Sequence, residues 1–191
     1  MLNVKKLPIN VFPNFYSFWY SKPEEVQGKV LVFNRETKQH EEKTIFRSYM
    51  SYLNTPEFSS DIEKSYMFLN KSEKVPMEFE PFIEFAKSID PNYNQMVVNW
   101  YEANDYIEFH RDCTANMMSK DSPILTINLN ETKDIYSARS LMMVDVETNE
   151  VSSVPLLDKT YFIINNNSTH RHAVGRGTER RISITFRMMV A

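Results

Sequence analysis

Residues 94–112 read NQMVVNWYEANDYIEFHRD, a run that is typical of β-strands and ends in the pair His110 and Asp112. Residues two positions apart on a strand point to the same side, so this pair can present an imidazole and a carboxylate together. Such a pair can bind a metal ion. It also arises as a surface histidine beside a turn aspartate, so the rest of the chain has to supply the context.

Two further histidines, His170 and His172, lie about sixty residues later in the chain. Either would complete a set of two imidazoles and one carboxylate. That set suits non-haem Fe(II), because it leaves coordination positions open for other ligands. The two histidines have the same parity on a strand, so they would face the same way.

Residues 180–187, RRISITFR, alternate polar and apolar side chains and predict a strand. Its apolar face belongs to the core. The opposite face carries two arginines and two hydroxyls, which suits a dianion because a guanidinium binds a carboxylate through two parallel hydrogen bonds. An amphipathic edge strand with a solvated face is the alternative. The polar face consists of Arg181, Ser183, Thr185 and Arg187.

Three blocks in this order resemble the AlkB-like family of 2-oxoglutarate- and Fe(II)-dependent dioxygenases. They lie roughly within residues 92–187, about half the chain. The resemblance implies a double-stranded β-helix. The blocks are Asn99-Trp100-Tyr101 with His110-Arg111-Asp112, the run SPILTINL at 122–129, and His172-Ala173-Val174 with Arg181 and Arg187.

The resemblance also implies a role for each matching residue. Iron would be held by His110, Asp112 and His172. Arg181, helped by Tyr101, would bind the distal carboxylate of 2-oxoglutarate. Asn99 and Arg187 would lie near its keto-acid end. Independently of the resemblance, the Ser183 hydroxyl on the polar face of the predicted strand would add a hydrogen bond.

The third ligand is predicted to be His172 because Ala-Val follows it, as in the H-x-V pattern of the family. His170 falls where the family often has an aromatic residue. His172 lies nine residues before Arg181 and His170 lies eleven before it. A spacing of eleven would favour His170, so the sequence leaves both histidines open as the third ligand.

The resemblance implies a reaction in which dioxygen and 2-oxoglutarate are consumed, succinate and carbon dioxide form, and a substrate C–H bond is hydroxylated. An N-methyl group would leave as formaldehyde, so alkylated bases in DNA or RNA are the expected substrate. One departure weakens this expectation: Thr114 stands where many base-demethylating members have an acidic residue. A 2-oxoglutarate oxygenase acting on protein or a small molecule is the alternative, and a catalytically silent jelly-roll binding module is a third.

Composition fits one intracellular domain. The chain has 191 residues, enough for a substantial core, and a single cysteine, Cys113, so an intrachain disulfide is excluded. No long apolar run or signal-peptide pattern is present, which predicts neither a membrane span nor secretion but a place in the cytoplasm or nucleus. Nothing indicates an oligomer.

The net charge of −3 argues against strong nonspecific binding to nucleic acid over the whole surface. A protein with little basic surface has little binding energy to offset unpairing of a duplex. Single strands are therefore the predicted substrate form.

The chain is predicted to be a single mostly β (α+β) domain, in which short strands close into a two-sheet jelly roll. Residues 1–90 would form an N-terminal extension with a hairpin and a helix, and residues 91–191 the catalytic core. We predict a hairpin from 29–33 and 44–49, a candidate substrate lid, and a helix over 76–89. Residues 1–28 are expected to be irregular.

Overall fold

The computed structural model describes residues 3–8, 14–24, 26, 28–34, 36–53, 66–67, 69–112, 117–165 and 168–190. Most of the regular structure consists of short strands. The strands are β1 (Lys5–Lys6), β2 (Lys29–Asn34), β3 (Gln39–Thr44), β4 (Ser48–Leu53), β5 (Tyr66–Met67), β6 (Lys71–Ser72), β7 (Gln95–Tyr101), β8 (Ile107–His110), β9 (Ile124–Asn130), β10 (Ser140–Asp145), β11 (Val151–Pro155), β12 (Thr160–Ile164), β13 (His170–Val174) and β14 (Arg181–Arg187). The helices are α1 (Phe15–Tyr20) and α2 (Glu80–Ile89), the latter preceded by a 3₁₀ turn at Met77–Phe79.

Two sheets form the body of the jelly roll. The large sheet has seven strands in the order β1-β12-β9-β14-β7-β4-β6, and the small sheet has four in the order β11-β10-β13-β8. A third sheet, β3-β2-β5, contains the N-terminal hairpin. The large sheet takes β1, β4 and β6 from the first 90 residues, so the predicted extension and the predicted core share one sheet.

The central strands β7, β9 and β14 are buried along almost their whole length, because both faces of the large sheet are covered. On one face, Val98, Trp100, Ile182 and Ile184 pack with residues of the two helices. On the other face, Tyr101 packs with residues of the small sheet. That second face carries the polar side chains of β14, so the side chains predicted to bind a dianion lie between the two sheets.

Helix α2 and its preceding 3₁₀ turn confirm the helix predicted over 76–89. Pro81 stands in the first turn, where its missing N–H costs nothing. Phe79, Phe82 and Ala86 are at most 1% exposed and recur at helical spacing, so this stripe faces the large sheet. None of the described helices has the length and apolar character needed to cross a bilayer.

The prediction that residues 1–28 are irregular is wrong at α1. Asn14 caps this short helix by accepting a hydrogen bond from the backbone N–H of Tyr16 at 3.2 Å. Phe18 and Trp19 are buried, and the indole N–H of Trp100 donates to the Phe18 carbonyl at 3.1 Å. Six residues are too few to show a helical period, so tertiary packing rather than pattern determines this helix.

The hairpin exists, but its predicted second strand is misplaced. Strand β2 pairs with β3, whereas residues 44–49 lead out of the hairpin into β4 of the large sheet. Strand β3 has the sequence QHEEKT and no buried residue, so it has no apolar alternation to reveal it. Polar contacts hold it instead, including Lys29 Nζ to Glu42 Oε2 at 2.7 Å and Asn34 Nδ2 to Glu41 Oε1 at 2.8 Å.

Candidate metal and co-substrate site

Three potential metal ligands converge at the end of β8. His110 is its last residue, Asp112 follows two positions later, and His172 lies opposite His110 on β13. One donor atom from each residue lies within 4.8 Å of the others, and the two imidazole centroids are 4.3 Å apart. We call His110, Asp112 and His172 the triad.

Hydrogen bonding orients the imidazole of His110. Its Nδ1 lies 2.8 Å from the carbonyl oxygen of Glu108, which can only accept, so Nδ1 carries the proton and Nε2 keeps its lone pair. Burial, reinforced by the neighbouring His172, lowers the pKa of His110 to about 4. Burial also lowers the pKa of His172, against the opposing effect of Asp112. Both imidazoles are therefore neutral at neutral pH, the form that binds metals.

Asp112 is held ionised. Burial alone would raise its pKa, but the guanidinium of Arg187 and the two imidazoles outweigh burial and keep the pKa well below its usual range. Arg187 Nη2 donates to Asp112 Oδ1, while Asp112 Oδ2 lies 3.4 Å from His172 Nε2. One carboxylate oxygen thus faces the arginine, and the other faces the imidazole.

Strand β14 shows the predicted alternation. Arg181, Ser183, Thr185 and Arg187 line a cavity beside the triad, while the apolar residues between them pack in the core. The cavity has a volume of about 80 Å³, and we call it the arginine cavity. Its walls bring together every residue for which the sequence predicts a ligand or co-substrate role: His110, Asp112, His172, Asn99, Tyr101, Arg181, Ser183 and Arg187.

Arg181 is the most deeply buried cation in this cavity, at 1% exposure. Its Nη2 donates to Asn128 Oδ1 at 2.5 Å, and its guanidinium carbon lies 4.8 Å from the ring centre of Tyr101. Its Nε and Nη1 have no hydrogen-bond partner among the residues described. Burial lowers the pKa of Arg181, an effect that Tyr101 opposes. A buried guanidinium with two unused N–H groups is suited to an incoming anion.

The second late histidine, His170, lies on the same strand but outside the triad. Its Nδ1 is 2.8 Å from the hydroxyl of Thr169, and its Nε2 is 3.7 Å from Asp145 Oδ2. The geometry therefore brings His172, and not His170, to His110 and Asp112. Cys113 and Thr114 lie outside the described residues.

A larger cavity adjoins the arginine cavity on the hairpin side. This outer groove has a volume of about 290 Å³ and shares six lining residues with the arginine cavity. Val32 and Lys43 of the hairpin form one wall, and Glu108 and Phe109 of β8 form the other. The shared residues are Val30, Arg47, Ile107, His110, Asp112 and Arg187.

No family model matches the sequence, and no curated protein matches it. Among solved structures, OsALKBH1 is similar to this chain at 15% identity, over 75% of this chain and 78% of that one, with a TM-score of 0.52. The chain has the fold of OsALKBH1. A Pseudomonas putida prolyl-4-hydroxylase is similar at 11% identity, over 63% and 70% of the two chains, with a TM-score of 0.48. The predicted double-stranded β-helix is confirmed by the two packed sheets and the likeness to OsALKBH1.

Two arginines at or next to the cavities of this OsALKBH1-like fold are absent from the sequence prediction. Arg47 lines both cavities and donates from Nε to Asn99 Oδ1 at 2.8 Å. Arg139, at 1% exposure, donates to the carbonyls of Glu179 at 2.7 Å and Glu102 at 2.6 Å. Neither arginine stands in a recognisable motif. Only the three-dimensional fold brings them to the site and its supporting loops.

Proposed function

We propose that this chain is an intracellular Fe(II)- and 2-oxoglutarate-dependent dioxygenase that removes N-methyl groups from bases in single-stranded nucleic acid. The observation that carries the proposal is the position of the triad directly beside the arginine cavity. The triad and the polar face of β14 line the same cavity, so a metal ion and a dicarboxylate could bind there side by side. The fold supports the proposal. The residues to which the family resemblance gives a role, the triad and the arginines of β14, lie around one cavity in this fold.

The donor set of the triad fits a divalent iron ion. His110 and His172 offer neutral imidazole nitrogens, and Asp112 offers a charged oxygen. Two nitrogens and one oxygen from the chain leave further coordination positions for small ligands. Arg187, hydrogen-bonded to Asp112, fixes the orientation of that carboxylate, as groups behind metal ligands commonly do.

The arginine cavity fits the distal carboxylate of 2-oxoglutarate. Nε and Nη1 of Arg181 are buried donors without a partner among the described residues, and a guanidinium can donate to a carboxylate through two adjacent N–H groups. The hydroxyls of Ser183 and Thr185 line the same wall. In the absence of an anion the charge of Arg181 is buried without full compensation, and this cost is relieved when a carboxylate binds.

When bound, Fe(II), 2-oxoglutarate and dioxygen supply the oxidising power that hydroxylates a C–H bond. The chain itself binds and orients. Arg181 and Tyr101 would hold the distal carboxylate, Asn99 and Arg187 would lie at the keto-acid end, and the two sheets would limit the access of water to the cavity between them. A hydroxylated N-methyl group then leaves as formaldehyde.

The outer groove supports a planar substrate. The rings of Phe46 and Tyr106 stack at its mouth, 4.7 Å apart and within 15° of parallel, and Phe46 is 49% exposed. Arg176 lies over Tyr106 at 4.1 Å. Partly exposed aromatic residues beside cationic side chains are the groups on which proteins stack unpaired bases. Hydroxylation of a protein or a small molecule is the alternative, which Thr114 favours because no carboxylate stands at that base-reading position.

The test is succinate and formaldehyde release by purified protein with Fe(II) and 2-oxoglutarate. Methylated single-stranded DNA and RNA should stimulate both products in equal amounts, and duplexes should stimulate them less. If no methylated oligonucleotide stimulates succinate formation while peptides or small molecules do, the alternative replaces the nucleic-acid substrate.

A matched pair of carboxylate variants links the activity to the triad. Asp112→Ala should abolish both products, whereas Asp145→Ala removes a carboxylate that faces His170 and should leave them intact. Full succinate release by Asp112→Ala would refute the site.

A further inference from the structure

Arg47 stands at the boundary between the arginine cavity and the outer groove and lines both. It lies in the link between the hairpin and β4, and its side chain is half-buried. In both linings it stands together with His110 and Asp112 of the triad. A substrate that reaches the triad through the outer groove must therefore pass this guanidinium.

The side chain of Arg47 is anchored at one nitrogen. Its Nε donates to Asn99 Oδ1 at 2.8 Å, and Asn99 Nδ2 in turn donates to Ser183 Oγ at 3.3 Å. The amide of Asn99 thereby connects the arginine to β14. The anchor uses Nε and leaves the two terminal nitrogens of Arg47 for a ligand. Fixing a guanidinium in this way lowers the entropy lost when it binds an anion.

The charges of the arginine cavity do not balance. Its lining contains three arginines, Arg47, Arg181 and Arg187, and one carboxylate, Asp112, which gives an excess of two positive charges with both imidazoles neutral. Loading with a divalent cation and a dicarboxylate dianion leaves that excess unchanged. Arg187 is paired with Asp112, and Arg181 faces the proposed carboxylate. Arg47 is in no ion pair with a described carboxylate, so it is the arginine of this cavity that is left to bind a further anion.

The neighbours of Arg47 indicate the anion. Phe46, the adjacent residue, presents its half-exposed ring at the groove mouth, and Lys43 and Arg111 add positive charge to the groove lining. Lys43 Nζ lies 3.7 Å from Glu108 Oε2 and forms an ion pair with it, whereas Arg111 is exposed. Alternating stacking surface and positive charge matches the alternation of base and phosphate along a single strand.

We propose that Arg47 binds a backbone phosphate of a single-stranded nucleic acid whose target base enters the outer groove. The inference rests on the proposed function and deepens it. Arg47 then positions the nucleotide without reading its base, because phosphate contacts fix register and carry no sequence information. Phe46 stacks on a base next to that phosphate.

The test is binding, independent of turnover. A fluorescein-labelled single-stranded oligonucleotide with one N-methylated adenine is titrated with the Mn(II)- and 2-oxoglutarate-loaded protein, and fluorescence anisotropy is followed over a range of salt concentrations. Arg47→Gln should weaken binding roughly ten- to a hundredfold at low salt. It should also lower the slope of log K against log salt by about 0.7, the value for one phosphate on a single strand. The loss should be equal for oligonucleotides of different sequence.

Three further variants complete the experiment. Lys87→Gln removes one positive charge from the exposed surface of α2, on the helix-covered side of the large sheet, and should leave affinity and slope unchanged. Arg47→Lys keeps the charge and should keep the slope. Phe46→Ala removes the stacking ring and should weaken binding with an unchanged slope.

Two outcomes distinguish failure of the inference from failure of the proposed function. If native protein binds the oligonucleotide and Arg47→Gln keeps the native slope, or loses affinity only for some base sequences, Arg47 does not bind phosphate while the proposed function stands. If the native protein does not bind the oligonucleotide at any salt concentration, the nucleic-acid substrate and the role of Arg47 are both refuted.

Discussion

The buried guanidinium of Arg181 is the group on which co-substrate binding depends most. Replacement by methionine keeps most of its volume and removes its charge. In the native chain two of its nitrogens have no partner among the described residues, and the third donates to Asn128. Losing a charged hydrogen-bonded partner from a desolvated pocket costs about 2–5 kcal/mol. Since about 1.4 kcal/mol is tenfold, the Kd for 2-oxoglutarate should rise by roughly thirtyfold to several thousandfold.

Folding should tolerate this change. Methionine leaves the Asn128 oxygen without its donor, which costs about 1–3 kcal/mol, but it also removes a buried charge that lacks full compensation. The apo protein should therefore unfold at a temperature near that of the native chain, while the stabilisation that 2-oxoglutarate gives the native chain should disappear.

Isothermal titration of 2-oxoglutarate into Mn(II)-loaded protein measures the effect of Arg181→Met directly. Arg180→Met is the matched control, because Arg180 is the neighbouring residue and its side chain is 39% exposed and paired with Glu102. The control should bind the keto acid with native affinity. If Arg181→Met binds it within about threefold of the native Kd, the distal carboxylate is held elsewhere and the assignment of the arginine cavity is wrong.

Three further predictions test other parts of the structure. His172→Ala should abolish binding of Mn(II), followed by its electron paramagnetic resonance signal, whereas His170→Ala should leave binding largely intact; the reverse result would transfer the ligand role. Phe82→Ala should lower the free energy of unfolding in urea by about 3–5 kcal/mol, because this ring is 1% exposed beneath α2; a loss below about 1 kcal/mol would mean that α2 is loosely packed. Gly177→Ala should lower it by about 1–3 kcal/mol, since the added Cβ would lie 2.6 Å from Cγ of Arg139, whose guanidinium is fixed by backbone carbonyls; unchanged stability would contradict that contact.

The parts of the fold that the sequence predicts correctly are those with strong periodicity. Polar and apolar side chains alternate along the whole of strand β14. The apolar ones pack in the core and the polar ones line the arginine cavity, so the sequence period matches the surroundings of each face. The helix over 76–89 is recognisable for the same reason. Strand β3 and helix α1 are missed because one is polar on both faces and the other is too short to show a period.

The residues of the candidate site likewise fall into those that the sequence identifies and those that only the fold brings together. The triad and the arginines of β14 stand in short motifs with fixed spacing, so the sequence identifies them together. The choice of His172 over His170 needs the register of β13 against β8, which pairs His172 with His110. Arg47 reaches the site from a loop of irregular structure, and Arg139 supports it through backbone carbonyls. No local pattern marks such residues, because their partners are distant in sequence.

The triad is expected to bind iron beside a co-substrate that Arg181 holds. Crystals grown without oxygen in the presence of Fe(II) and 2-oxoglutarate, with diffraction data collected at the iron absorption edge, test it most directly. We predict one strong anomalous peak within bonding distance of His110 Nε2, an Asp112 carboxylate oxygen and a His172 ring nitrogen, with keto-acid density extending from it to Arg181. A peak elsewhere, or no peak with the triad arranged as described, would show that the triad is not the iron site.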